Sequence, residues 1–188
     1  MDKSNIFIIS GPSGVGEDSV IEGLRKYFSI ERVITTTTRP MRKGESNGHP
    51  YYFLSLEEFK KKIGADEMAE YTQEYNNNFY GVTKKELERV AVSQKVGIWK
   101  IEYKGVITAK KKFPEIKSIY IAAPSLEILK KRILRRDPSV SEEYINERMK
   151  YTREWIENEN IYDFKVVNEE GKLEETIEKV AKIIKENL

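Results

Sequence analysis

Between Gly11 and Ser19 the chain reads Gly-Pro-Ser-Gly-Val-Gly-Glu-Asp-Ser, a run of bare backbone and hydroxyls that ends in two acids. The spacing Gly11-x-x-x-x-Gly16 is that of a phosphate-binding P-loop and differs from the dinucleotide fingerprint G-x-G-x-x-G. An apolar run, Ile6 to Ile9, leads into the loop, and Val20, Ile21, Leu24 and Phe28 follow it at helical spacing. The expected local structure is therefore strand, glycine loop and a helix over residues 19–28. In that arrangement successive backbone N–H groups and the positive end of the helix face a di- or triphosphate.

The P-loop pattern asks for Lys after its last glycine, and Glu17 stands there. A carboxylate about 4 Å from a phosphate charge repels it by roughly 4 kcal/mol at an effective dielectric of 20. Asp18 occupies the position of the usual Mg²⁺-binding hydroxyl, with Ser19 next to it. Asp18 is either a hard oxygen ligand for Mg²⁺ or an acid favoured by the helix dipole.

The elements that position this loop follow along 188 residues, a length suited to one domain with a small inserted lobe. Lys and Arg number 33 against 31 Asp and Glu, a net +2 that gives no global field for nucleic acid or an anionic membrane. Zero cysteines exclude a disulfide scaffold, a zinc-thiolate site and cysteine catalysis, and suit a cytoplasmic location. No signal peptide and no membrane span are expected.

Residues 30–38 read as one β-branched strand, and 51–55 as a short one. Ser55 should cap a helix over 56–63, and 68–75 with 79–83 resemble a hairpin around Asn76-Asn77-Asn78. Helices are expected over 84–93, 104–113, 126–136, 142–158 and 173–188, alternating with strands over 96–101, 118–123 and 164–167. Strand alternating with helix implies a parallel sheet covered on both faces, an α/β fold, with a β-rich block inserted in it. The single His49 precedes Pro50 in a turn and has no second histidine for a metal site.

Thr37-Thr38-Arg39-x-x-Arg42-x-Gly44-Glu45-x-x-Gly48, then Tyr51-x-Phe53, Glu70, Tyr80-Gly81, Arg132, Arg148 and Tyr162-Asp163…Asn168 follow the loop in order. With it, they resemble the guanylate kinase family of P-loop nucleoside monophosphate kinases over nearly the whole chain. The resemblance implies a core of residues 1–34 and 84–188, a GMP-binding lobe at about 35–83 and a helical lid at about 126–158. It also implies phosphoryl transfer from ATP to GMP with Mg²⁺, by a monomer or weak dimer.

Carried over by position, Ser13, Gly14, Val15, Gly16, Glu17, Asp18 and Ser19 would hold the ATP phosphates, and Asn168 would meet its adenine. Arg39, Arg42, Tyr51 and Tyr80 would hold the GMP phosphate. Thr35, Glu70 and Glu102 would meet guanine, whose N1–H and amino group suit a carboxylate acceptor. Arg132, Arg136 and Arg148 would clamp the transferred group, and Asp18 and Ser19 are the candidates for Mg²⁺.

Four positions depart from the family pattern. Glu17 replaces the loop lysine and Asp18 the metal-binding hydroxyl, Lys100 replaces an aspartate on the facing strand, and Val82 stands where a hydroxyl is common. Glu17 is expected to pair with Lys100, whose ammonium then supplies from the strand the cation missing from the loop. A binding module that has lost turnover and a kinase for another phosphorylated acceptor are the rival readings.

Overall fold

The computed structural model describes residues 2–73 and 77–188. In chain order its strands are β1 (Ile6–Ser10), β2 (Ile30–Arg32), β3 (Thr36–Thr37), β4 (Tyr52–Phe53), β5 (Met68–Gln73), β6 (Phe79–Thr83), β7 (Val96–Trp99), β8 (Lys117–Ala122) and β9 (Phe164–Val167). Its helices are α1 (Glu17–Gly23), α2 (Leu56–Gly64), α3 (Lys84–Ala91), α4 (Tyr103–Lys112), α5 (Leu126–Arg136), α6 (Glu142–Glu157) and α7 (Leu173–Glu186). Five parallel strands form the main sheet in the order β2-β7-β1-β8-β9, the α/β architecture expected.

The central strand explains the layering. Successive side chains of a strand point to opposite faces, and in β1 both faces are apolar. Phe7 and Ile9 pack with Val20 and Ile21 of α1, with Leu24 just after it and with Ile177, Val180 and Ile184 of α7. Ile6 and Ile8 pack on the other face with Leu87 and Val90 of α3 and Val106 and Ala109 of α4. All four strand residues have no exposed surface, and each contributes about 1.5–3 kcal/mol of burial.

The expected single strand over residues 30–38 is two strands in two sheets. β2 pairs with β7 in the main sheet, whereas β3 lies in a second sheet of order β4-β3-β6-β5. The hand-over is built from specific bonds. Val33 N still donates to Ile98 O at 2.9 Å, Ile34 N turns to the Glu86 carboxylate at 2.8 Å, and Thr35 O accepts from Tyr52 N at 2.9 Å. Glu86 on α3 is 5% exposed and is also held by Arg89. A long-range carboxylate thus breaks a segment whose composition favours one continuous strand.

In the second sheet β5 and β6 pair antiparallel, as the hairpin reading required; Glu74 and Tyr75 of its expected first strand and Asn76 of its expected turn lie outside the described residues. Ser55 and Glu58 form the reciprocal capping box of α2, and Thr83, Ser125 and Ser141 cap α3, α5 and α6. The first helix begins at Glu17, two residues earlier than expected, and ends at Gly23 before a single 3₁₀ turn. A Cβ at Gly23 would come within 2.2 Å of Ile177, so a side chain there would push α7 away. Among the described residues, no helix is long and apolar enough to cross a membrane.

Two features fix the glycine loop. A Cβ at Gly11 would lie 2.5 Å from Ile121 O of the neighbouring strand β8. From below, Asn168 Nδ2 donates to Val15 O at 2.7 Å while its Oδ1 accepts from Thr176 Oγ1 of α7 at 3.1 Å. Asn168, expected to meet adenine, is 5% exposed and holds the loop through one bond at each end of its amide. Asn168→Ala is expected to lower stability by about 1–3 kcal/mol. Urea unfolding checks this, as a lower midpoint with an unchanged slope.

Candidate active site

A cleft of about 1210 Å³ opens where the main sheet presents the C-terminal ends of β1, β2 and β7 to the second sheet. Ligands of open α/β sheets bind at such an edge. The glycine loop forms one wall, residues of the second sheet another, and side chains of α5 and α6 a third.

At the loop wall four charges meet. Lys100, directly after β7, places Nζ 2.7 Å from Asp18 Oδ2 and 3.4 Å from Glu17 Oε2. Arg32, at the end of β2, has Nη2 3.6 Å from Asp18 Oδ1. The expected Glu17–Lys100 pair is present, but the short, charge-assisted bond of Lys100 goes to Asp18. One ammonium is therefore shared between two adjacent carboxylates.

Burial divides the two acids. The Glu17 side chain is 12% exposed against 69% for Asp18. Burial pushes the Glu17 carboxyl up from an ordinary 4.5 to about 8, outweighing the opposing pull of Lys100. For Asp18 the burial cost is outweighed by Lys100 and Arg32, which hold its carboxyl below the usual range. Burial also works against the Lys100 ammonium, and the two carboxylates overcome it and raise that pKa. Burial thus favours the neutral form of Glu17 and weakens the repulsion expected from a carboxylate in the loop. Ser19 is exposed beside Asp18 in the first turn of α1.

Across the cleft, Glu70 of β5 is 3% exposed. A Cβ on Gly105 would come within 3.0 Å of Glu70 Oε2, so the first turn of α4 passes over this carboxylate only as glycine. Glu102, the residue before α4, accepts a short hydrogen bond from the Tyr151 hydroxyl of α6. Thr35, Arg42, Tyr51, Tyr80, Glu70 and Glu102 all line the cleft. Tyr51 and Tyr80 meet edge to face with centroids 6.0 Å apart.

Arg39 does not line the cleft. Its guanidinium donates to Glu45 and to Pro40 O, both at 2.8 Å, and lies 5.4 Å from the centre of the Tyr51 ring. Glu45 also accepts from Arg42 N at 2.7 Å, so Arg39 and Glu45 shape the loop that carries Arg42. Val82, fully buried in the core under the second sheet, offers nothing to the cleft.

The three expected clamp arginines converge. Arg132 donates to Asn168 O at 2.9 Å and pairs with Glu170 at 3.1 Å, Arg136 Nη2 reaches Ser13 Oγ at 3.5 Å, and Arg148 Nε donates to Tyr144 at 3.1 Å. All three also line the cleft.

Sequence reasoning missed Arg32, Thr72 and Tyr151, which line it as well. Each had a signal in periodicity. Thr72 lies two residues after Glu70 on the same strand face, and Tyr151 lies three after Arg148 and four before Trp155 on one helix face. Arg32 is a charge where the alternation from Ile30 would continue apolar.

The proton on Glu17 makes a test of sign. A carboxyl whose folded pKa exceeds its unfolded value stabilises fully below about 4.5, and that contribution is lost as pH rises through 8. Between those limits wild-type stability should fall by up to about 1.4 kcal/mol per pH unit from this group. Thermal melts of the protein without nucleotide from pH 5 to 8.5 should show a decline that Glu17→Gln flattens; parallel curves for the two proteins would contradict the assignment.

The sequence model of the guanylate kinase family matches residues 3–187. The guanylate kinase of Oceanobacillus iheyensis is 37% identical over 185 residues, covering 98% of this chain and 88% of that protein. That of Halalkalibacterium halodurans is 38% identical over 173 residues, covering 92% and 84%. The crystal structure of guanylate kinase from Anaplasma phagocytophilum superposes with a TM-score of 0.71 at 30% identity, over 96% of this chain and 84% of that one. With a phosphate loop and a carboxylate-lined pocket sharing one cleft, and with relatives matched over nearly their full length, the chain belongs to the guanylate kinase family.

Proposed function

We propose that the chain transfers the γ-phosphoryl group of ATP to GMP, giving ADP and GDP, by direct in-line displacement. The observation that carries this reading is that the glycine loop and the Glu70 and Glu102 carboxylates open into one cleft with three arginines beside it. The attacking oxygen belongs to a phosphate that is already an anion at neutral pH, so no general base is required. The task left to the protein is alignment and charge neutralisation.

The backbone from Ser13 to Ser19 holds the ATP phosphates. Arg42, Tyr51 and Tyr80 hold the GMP phosphate, with Arg39 fixing Tyr51 from one layer out. Glu70 and Glu102 accept hydrogen bonds from guanine N1–H and the amino group, which adenine cannot supply, and Thr35 and Thr72 offer hydroxyls beside them. Arg132, Arg136, Arg148 and Lys100 offset the charge that develops on the transferred group. Residues 126–158 act as a lid and residues 35–83 as the GMP lobe, closing together to exclude water.

The donors near the loop suit Mg²⁺ in kind. Asp18 and Ser19 are hard oxygen donors, and among the described residues no cluster of three or more His, Cys, Asp or Glu forms a dedicated cage. Mg²⁺ is commonly held by one or two protein oxygens with the rest from phosphate and water. Asp18 and Ser19 would hold it, and when bound it neutralises phosphate charge. The same reading has the enzyme acting in the cytoplasm as a monomer or weak dimer.

A coupled ADP-release assay tests the proposal. Turnover with GMP and little with AMP, CMP or UMP is the expected result. Glu70→Ala should lower kcat/KM for GMP by about a hundredfold, the scale of two lost hydrogen bonds to one buried carboxylate. Binding of GMP without turnover would favour the module that has lost its chemistry, and equal rates with several monophosphates would favour a different acceptor.

A further inference from the structure

The loop that receives the ATP phosphates carries two acids, and Lys100 is a single positive charge shared between them. Lys100 makes its short bond to Asp18, the more exposed acid of the cluster. The second cation in contact with it is Arg32, 3.6 Å from Asp18.

The fold sets Arg32 and Lys100 side by side. β2 and β7 are parallel neighbours with Arg32 in register with Ile98. Ile30 and Ile98 pack into the core under α1 and α7. By alternation Arg32, two residues after Ile30, and Lys100, two after Ile98, extend along that same face. Both line the cleft beside Glu17 and Asp18.

The two ends of Arg32 are held differently. Its backbone is fixed, the strand pairing with β7 and the carbonyl accepting from Arg89 Nη2 at 2.9 Å. Its guanidinium is 39% exposed, and its separation from Asp18 is that of a loose ion pair. A guanidinium so placed is anchored at the root and free to re-aim at the tip, and its planar fork matches phosphate oxygens.

We propose that Arg32 is a second phosphate-site cation, paired with Asp18 in the structure described above and turned onto the ATP polyphosphate when ATP binds. This deepens the ATP:GMP phosphotransferase reading and rests on it. Binding exchanges one anionic partner of Arg32 for another, so the guanidinium stays paired while Asp18 becomes available to the metal that accompanies the nucleotide.

The experiment measures ATP binding by calorimetry in EDTA, without divalent metal, for wild type, Arg32→Gln, Arg32→Lys, Asp18→Asn and the double variant Asp18→Asn with Arg32→Gln. Removing Arg32 should weaken ATP about tenfold, the scale of one lost charge contact. GMP affinity should be unchanged, and Arg32→Lys should recover most of the loss. The decisive comparison is in the Asp18→Asn background. A phosphate contact predicts that Arg32→Gln still weakens ATP there. An Arg32 that only restrains Asp18 predicts no further effect, and that result, or unchanged ATP affinity in Arg32→Gln, overturns the proposal.

GMP-dependent ADP release by the wild type is scored separately. Its failure would sink the phosphotransferase reading while the calorimetry still decides the role of Arg32.

Discussion

The double-sided burial of β1 is the constraint from which the rest of the site follows. Ile6 and Ile8 are gripped by one core and Phe7 and Ile9 by the other, so the end of the strand cannot shift without opening a cavity in one of them. Cavities of that kind cost several kcal/mol. The glycine loop therefore starts from a fixed point, is pressed against Ile121 at Gly11 and is tied beneath by Asn168. A loop that binds by backbone geometry needs this, because it has few side chains with which to correct an error.

Rigidity of the loop makes electrostatics the variable part. The acids stay where α1 begins, and the cations arrive from the ends of two neighbouring strands. Burial decides which form each acid favours: the sheltered one its neutral form, while the exposed one takes the ammonium. The site is thus less negative than a count of formal charges suggests. The opposite wall follows a different logic, since Glu70 is placed under Gly105 and Glu102 is held by a tyrosine of α6.

Most of the architecture was legible because it depends on period. The apolar runs of β1, β7, β8 and β9, the stripes of the helices and the cap at Ser55 all follow from local pattern. The break at Val33 to Thr35 was not legible, since its cause is Glu86, some fifty positions away in sequence. The site divided the same way. Residue types suited to phosphate and guanine lie in the cleft, but which guanidinium faces it and which is spent on an internal acid is a tertiary fact, as Arg42 and Arg39 demonstrate. Asn168 makes the same point, because its bonds to Val15 and Thr176, which serve the scaffold, are invisible in local pattern.

The contact between Glu17 and Lys100, 3.4 Å across the loop, also constrains how this sequence can change. Placing lysine at 17 alone would set two ammonium groups against one another with only Asp18 between them. Placing aspartate at 100 alone would gather three acids and leave Arg32 as the cation beside Asp18. Each single step toward the common arrangement passes through a like-charge cluster, while the paired step does not. The charges at 17 and 100 are therefore coupled through one contact, and a change at either is felt at the other.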